Sequence, residues 1–146
     1  MTKIEFHSGA TDKLDYTCRL LRKACSSGKT VVVTGEPEPL AALDRLLWRF
    51  SASSFVAHCR PSALPATLAA SPVVLSASLD GSLADKDVLV NIGQSLPPGF
   101  ERFPRLIEVV SSQPHDVLAG RIRWKDYRDR GYELKQKSVV DVPGTT

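Results

Sequence analysis

The sequence predicts a single α/β domain in which helices cover both faces of a mostly parallel β-sheet. The chain has 146 residues, enough for one domain with a substantial core. Its hydrophobic share is 42% and its charged share 24%, which is typical of an ordinary globular protein. Short apolar runs alternate along the chain with amphipathic helical stripes. This order favours a parallel sheet between layers of helices.

The first strand and helix are predicted from the start of the chain. Ile4 and Phe6 alternate with polar neighbours, which indicates a short opening strand. Asp12 is a helix-start signal and Gly28 a helix-stop signal. Between them, apolar residues recur at helical spacing at Leu14, Cys18, Leu21 and Cys25.

A second strand and helix follow directly. The β-branched run at 31–33 predicts a strand that is buried on both faces. A helix is then predicted from about Pro37 to Phe50, because proline is tolerated in the first helical turn. Its apolar stripe consists of Leu40, Leu43, Leu47 and Phe50.

The second half of the chain is predicted to complete the sheet and add one more helix. The strands predicted there lie at 55–56, 73–76, 87–92 and 106–110, with a helix end as the alternative interpretation of the last run. The last helix is predicted from about His115 to Arg130, with Gly131 closing it. Residues 1–137 form the predicted domain. Residues 138–146 are predicted to be a flexible C-terminal tail, because they have little to pack.

Charge, targeting signals and cysteines exclude several classes of protein. A net charge of +3 is too small for a protein that coats nucleic acid, although it allows a local basic patch. The N-terminus lacks a signal-peptide pattern, and no stretch approaches about 18 apolar residues, so a cytoplasmic location is expected. The three cysteines match no disulfide framework, which favours reduced thiols.

The segment Ser27-Gly28-Lys29-Thr30 imitates the end of a phosphate-binding loop. The full motif needs a glycine five positions before Gly28, where this chain has Lys23. It also needs a strand before the loop and a helix after it, so that the helix N-terminus faces the phosphate. Here the predicted order is reversed. The segment is therefore interpreted as a helix end followed by a strand.

Motifs for catalysis and metal binding are also missing. His7, His58 and His115 are scattered, and none lies four residues from another ligand type, so no metal site is predicted. There is no Gly-x-Ser-x-Gly elbow, and spacing alone assigns no catalytic pair of carboxylates. Neither an enzymatic activity nor a cofactor is predicted.

The last predicted helix carries a basic row beside an aromatic residue. Arg121, Lys125 and Arg128 follow the i, i+4, i+7 spacing of one helical face, and Trp124 lies beside them. Such a row suits an acidic peptide with a bulky apolar end, since arginine holds a carboxylate through two hydrogen bonds. The same row would also suit the phosphates of a nucleic acid. A third interpretation is a solvated amphipathic helix with Trp124 and Tyr127 turned into the core.

Trp48 is the second candidate for an interaction surface. It lies about 100° around the helix from Leu47 and so falls off the predicted buried stripe. A large aromatic residue in such a place is a candidate partner anchor, and Phe55 follows closely enough to join it. Alternatively, Trp48 caps the helix end beneath the following loop.

The order of several short motifs resembles the chi subunit family of DNA polymerase III. The resemblance spans about residues 3–134, and its motifs are specific through their order and spacing rather than singly. They are Gly28-Lys29-Thr30-Val31-Val32-Val33, Leu43-Asp44-Arg45-Leu46-Leu47-Trp48, Ser54-Phe55-Val56-Ala57-His58, Asp87-Val88-Leu89-Val90-Asn91, Phe100-Glu101-Arg102 and the stretch from Arg121 to Tyr132.

This resemblance implies a single Rossmann-like domain without catalytic activity of its own. Chi subunits of this kind bind the psi subunit, which attaches them to the clamp loader. They also bind the acidic C-terminal tail of single-stranded-DNA-binding protein, which ends in phenylalanine. Carried over by position, the implied residues are Arg121, Trp124, Lys125 and Arg128 for the tail and Trp48 and Phe55 for psi.

The chain departs from the family pattern in two places. The opening strand, Phe6-His7-Ser8-Gly9, is more polar than the apolar opening strand of many relatives. Residues Cys59 to Ala63 stand where relatives often have a glycine-rich stretch. A direct nucleic-acid-binding module that uses the basic helix is the alternative function.

Overall fold

The computed structural model describes residues 2–49, 58–59, 72–79, 83 and 86–139, with the backbone alone at 58–59. The strands in these residues are β1 (Lys3–Ala10), β2 (Val31–Thr34), β3 (His58–Cys59), β4 (Val73–Leu75), β5 (Val88–Asn91), β6 (Arg105–Ser111) and β7 (Leu134–Ser138). The α-helices are α1 (Lys13–Ser26), α2 (Pro37–Arg49) and α3 (Pro114–Asp129). A short 3-10 helix covers Phe100–Arg102.

The strands form one sheet in the order β3-β4-β2-β5-β6-β1-β7. All of the strand pairings in the described residues are parallel. The longest helix, α3, has 16 residues. No helix in the described ranges combines the length and the apolar character that crossing a membrane requires.

Local signals explain where α1 begins and ends. The side chain of Asp12 accepts the backbone N–H of Asp15 at 3.0 Å, which satisfies one of the free donors at the helix N-terminus. At the other end the chain passes through Gly28 with φ 76°, a conformation that glycine adopts without strain. The observed order of helix, glycine turn and strand is the reverse of a phosphate-binding loop.

The core has two apolar layers, one on each face of the sheet. Val31 and Val33 of β2 face the layer that contains α1 and α2, whereas Val32 faces the other layer. The first layer includes Cys18, Leu21, Leu40, Leu43 and Leu47. The second includes Ile4, Phe6, Phe100, Phe103 and Tyr127. The predicted α/β class with a single Rossmann-like three-layer domain is therefore confirmed, and the described sheet is parallel throughout.

Most predicted elements match the observed bounds within a few residues. The opening strand is longer than predicted, since β1 continues to Ala10. β3 lies at residues 58–59, whereas the predicted strand at 55–56 and Phe50 fall outside the described residues.

β7 was not predicted from the sequence. It pairs with β1 at one edge of the sheet, and most of its side chains are exposed. Its segment LKQKS therefore lacks the apolar pattern of a buried strand. The paired backbone reaches Ser138, and the N–H of Val139 donates to the carbonyl of Ser8 at 2.7 Å. Residues 140–146 lie outside the described residues.

Candidate functional site

α3 lies against the sheet with an unusually polar buried side. Its buried residues are Asp116, Gly120, Arg123 and Tyr127. Their spacing of four, three and four residues is that of one helical face. Gly120 allows close packing, because a Cβ at this position would lie 3.0 Å from Cγ2 of Val110 in β6. The helix is therefore held against β6 by polar contacts and by one close backbone approach.

A buried hydrogen-bond network fixes the centre of α3. The carboxylate of Glu108 in β6 accepts hydrogen bonds from Arg123 Nε at 3.0 Å and from the Tyr127 hydroxyl at 2.5 Å. Asn91 Nδ2 donates to the same carboxylate at 3.0 Å. Burial raises the pKa of Glu108, and the cation of Arg123 opposes that shift. Because each of these groups is a donor, the contacts match the ionised carboxylate.

A second polar contact fixes the N-terminal end of α3. Asp116 accepts the N–H of Ser111 at 2.7 Å, the ammonium of Lys13 at 3.1 Å and the amide of Gln94 at 2.7 Å. Burial alone would raise the pKa of Asp116, but the Ser111 N–H and the Lys13 charge outweigh it and hold the pKa below the usual range. The start of α3 is thereby tied to α1 and to the end of β6.

The basic row predicted from the sequence lies on the outer side of α3. Arg121, Lys125 and Arg128 are all exposed. Since each residue turns the helix by about 100°, the three side chains lie within about 60° of one another. In the described residues none of them forms an ion pair, whereas Arg130, directly after the helix, pairs with Asp126 at 2.8 Å. The row is therefore a local surplus of positive charge.

Trp124 lies between the basic row and the core. It is half-buried, and its ring packs edge-on against Phe6 with the ring centroids 5.1 Å apart. Tyr127 is fully buried, as the interpretation of an amphipathic helix expected. Trp124 is thus partly a core residue and partly available to a ligand. The four residues carried over for the tail site lie together on one side of α3.

Two exposed apolar residues beside this row were not predicted from the sequence. Leu118 is 61% exposed and Ile122 is 65% exposed, and they lie one helical turn apart. Leu118 lies about 20° around the helix axis from Lys125, so the apolar pair adjoins the basic row. Counting 100° steps from Tyr127, one candidate core residue of the predicted helix, would have placed Leu118 about 180° and Ile122 about 140° away, on the outer side. An exposed apolar pair beside positive charges extends the surface that suits an acidic, apolar-ended peptide.

Trp48 lies on the opposite face of the sheet. It is 61% exposed near the C-terminal end of α2, while Leu40, Leu43 and Leu47 are fully buried. The prediction that Trp48 falls off the buried stripe is confirmed. Phe55, its predicted companion, lies outside the described residues. The two candidate surfaces are therefore carried by helices on different faces of the domain.

A cleft at the carboxyl ends of the strands is the place where parallel α/β sheets often hold ligands. It has a volume of about 420 Å³ and lies beside the start of α2. Glu36 lines this cleft, and its carboxylate oxygen Oε1 accepts the backbone N–H of Gln94 at 3.0 Å. A Cβ on Gly93 would lie 2.8 Å from Oε2 of the same carboxylate. This carboxylate occupies the place where an anionic ligand would need donors, so the cleft does not suit a phosphate.

The chain is similar to proteins of one known family. A family model described as DNA polymerase III chi subunit, HolC, matches residues 1–135. DNA polymerase III subunit chi of Pseudomonas aeruginosa is 28% identical over 147 residues, which covers 97% of this chain and 100% of that relative. The subunits chi of Haemophilus influenzae and Escherichia coli are also 28% identical, over 126 and 118 residues. These matches cover 86% and 80% of this chain, and 86% and 79% of those relatives. The chain therefore belongs to the DNA polymerase III chi subunit family.

Proposed function

We propose that the chain is a non-catalytic adaptor of the clamp-loader complex in the bacterial cytoplasm. It bridges the psi subunit and the acidic C-terminal tail of single-stranded-DNA-binding protein. As a member of the chi family the chain belongs to the DNA polymerase III holoenzyme, which acts in DNA replication. The observation that carries the proposal is the unpaired basic row of α3 beside the half-buried Trp124.

The tail site follows from the chemistry of this surface. Arg121 captures the terminal carboxylate of the tail through its two-pronged guanidinium group. Lys125 and Arg128 attract the acidic residues that precede it. The terminal phenylalanine packs against the exposed part of Trp124. Affinity is weak to moderate, since the tail has to become ordered on binding.

A titration with a synthetic tail peptide tests this site. An acidic peptide that ends in phenylalanine is expected to bind, and removal of the phenylalanine is expected to weaken binding about tenfold or more, because an apolar anchor is lost. Fluorescence anisotropy with a labelled peptide measures both affinities. Equal affinity of the two peptides would contradict the apolar contact.

A titration with naked and with protein-coated single-stranded DNA separates the adaptor from the alternative function. A direct nucleic-acid-binding module would bind naked single-stranded DNA with a steep salt dependence. The adaptor binds DNA coated with single-stranded-DNA-binding protein and barely binds the naked strand. Tight binding of the naked strand through Arg121 and Lys125 would favour the alternative.

The psi surface is tested by Trp48→Ala. This substitution is expected to weaken psi binding by about 2 kcal/mol, since exposed aromatic anchors dominate interfaces of this kind. It is expected to leave the affinity for the tail peptide unchanged, because Trp48 and α3 lie on opposite faces of the sheet. Isothermal titration calorimetry with psi and with the peptide measures both. Arg45→Ala, also exposed on α2, is the matched control. Equal loss of both affinities in Trp48→Ala would show a structural role instead.

A further inference from the structure

A second positively charged cleft lies on the face of the sheet opposite α3. It has a volume of about 610 Å³ and extends from α1 to the edge strand β7. In a parallel sheet, paired residues point to the same side. Glu5, Ile107 and Val90 are paired neighbours, and both Ile107 and Val90 belong to the layer of α1 and α2. The cleft is therefore on the α1 side and is separated from the basic row of α3 by the sheet.

Positive charge surrounds this cleft from two sides. The basic residues that line it are Arg19, Arg22, Lys23, Lys29, Arg105 and Lys137. Glu5 is the one carboxylate among its lining residues in the described part of the chain. It pairs with Arg105 at 3.0 Å, and Arg19 pairs with Asp15 on α1. The exposed lysines of the lining are Lys23 on α1, Lys29 in the turn before β2 and Lys137 on β7, so positive charge lines the cleft at both of its ends.

The wall of the cleft is preorganised by a chain of hydrogen bonds. The Tyr16 hydroxyl lies 2.5 Å from His7 Nδ1, His7 Nε2 lies 3.0 Å from Glu5, and Glu5 binds Arg105. These contacts suit the neutral imidazole with its proton on Nε2, and burial lowers the pKa of His7 accordingly. The floor is aliphatic: the half-buried Leu20 lies over the buried Val88, Val90 and Ile107 of the sheet.

The chemistry of the cleft favours a peptide over a nucleic acid. A single strand of nucleic acid needs aromatic rings on which its bases stack. In the described lining the aromatic rings are those of Tyr16 and His7. The Tyr16 hydroxyl is hydrogen-bonded to the His7 imidazole. An aliphatic floor between two basic walls instead matches an apolar side chain flanked by carboxylates.

We propose that this cleft is a second docking site, for an acidic peptide segment that carries a bulky apolar side chain. The segment lies across the opening with its carboxylates on Lys23, Lys29 and Lys137 and its apolar side chain on the aliphatic floor. The site is independent of the proposed tail site, since the sheet lies between them. Both sites can therefore be occupied at the same time.

The experiment uses the full chain and a fluorescein-labelled peptide of aspartate and glutamate residues around one central leucine. Its C-terminus is amidated, so that it lacks the terminal carboxylate that the tail site captures. The double variant Lys23→Glu/Lys29→Glu is expected to bind this peptide at least about tenfold more weakly than the unmodified chain, because two attractions become repulsions. Arg45→Glu/Arg49→Glu, with the same change in net charge at two exposed residues of α2 outside the cleft lining, is expected to bind it as the unmodified chain does.

Three outcomes would overturn this proposal. The first is unchanged binding by the Lys23→Glu/Lys29→Glu variant. The second is equal binding of a peptide whose leucine is replaced by serine, which would show attraction by charge alone. The third is that a labelled oligothymidine binds more tightly than the peptide and loses its affinity in the same variant. Lys137→Glu, on the opposite wall, is expected to weaken peptide binding too, and it keeps the test valid if the double variant does not fold.

Discussion

Arg123→Met is expected to lower the free energy of unfolding by about 3–5 kcal/mol, because it leaves the buried carboxylate of Glu108 without its cation. Arg123 and Glu108 are both almost fully buried, and their contact is 3.0 Å long. Because Glu108 is fully buried, water does not solvate its carboxylate in place of the lost arginine cation. Urea denaturation followed by circular dichroism measures the effect.

The matched control for this substitution is Arg121→Met. Arg121 lies two residues away on the same helix, but it is exposed. Its replacement is expected to change stability by no more than about 0.5 kcal/mol. The double variant Arg123→Met/Glu108→Leu is expected to lose less stability than Arg123→Met alone, since it removes the unpaired charge as well. Similar losses in Arg123→Met and Arg121→Met would show that the buried ion pair does not stabilise the fold.

The pH dependence of Arg123→Met gives an independent check. Burial already raises the pKa of Glu108 beside Arg123, and loss of the arginine removes a lowering influence and raises it further, so the folded variant takes up a proton more readily than the unfolded chain. The loss of stability caused by Arg123→Met is therefore fully present above the raised pKa of Glu108. It shrinks as the pH falls towards the ordinary carboxyl range. A stability difference between the variant and the unmodified chain that stays constant with pH would contradict this account.

The same ion pair sets which side of α3 faces outwards. Arg123 and Tyr127 point to Glu108, and the helical repeat then places Arg121 and Lys125 on the far side. The network thus links a buried contact to the orientation of the proposed tail site.

Strong local patterns made much of the fold predictable from the sequence. The β-branched residues 31–33 indicated a buried strand and form β2. The stripe that includes Leu40 and Leu43 indicated α2, and its members in the described residues are fully buried. β7 was not predictable, because an exposed edge strand has no apolar face to reveal it.

The candidate site was predictable only in part. Helical spacing placed Arg121, Lys125 and Arg128 on one side, and that placement is confirmed. The spacing could not show that Asp116 and Arg123 are buried, because their charged partners lie on other elements, Lys13 on α1 for Asp116 and Glu108 on β6 for Arg123. It also did not distinguish a peptide ligand from a nucleic acid, since both are anionic.

Arg121→Glu/Lys125→Glu is expected to weaken binding of the acidic tail peptide about a hundredfold at low salt. Two attractions become two repulsions, and each pair of charges near a protein surface is worth roughly 1–4 kcal/mol at contact. Neither side chain is used in an ion pair of the described residues, so the substitutions disturb the fold little. Fluorescence anisotropy with the labelled peptide measures the change.

The effect of this double variant has to be separated from its change in net charge. Arg45→Glu/Arg49→Glu makes the same change at two exposed residues of α2, on the opposite face of the sheet from α3, and is expected to bind the peptide almost normally. The difference between the two double variants should shrink as salt rises, because salt screens exposed charges. A loss shared by both variants would mean that the peptide responds to overall charge. A loss confined to the α3 variant, together with normal binding of the amidated probe at the α1 cleft, would place the tail on α3.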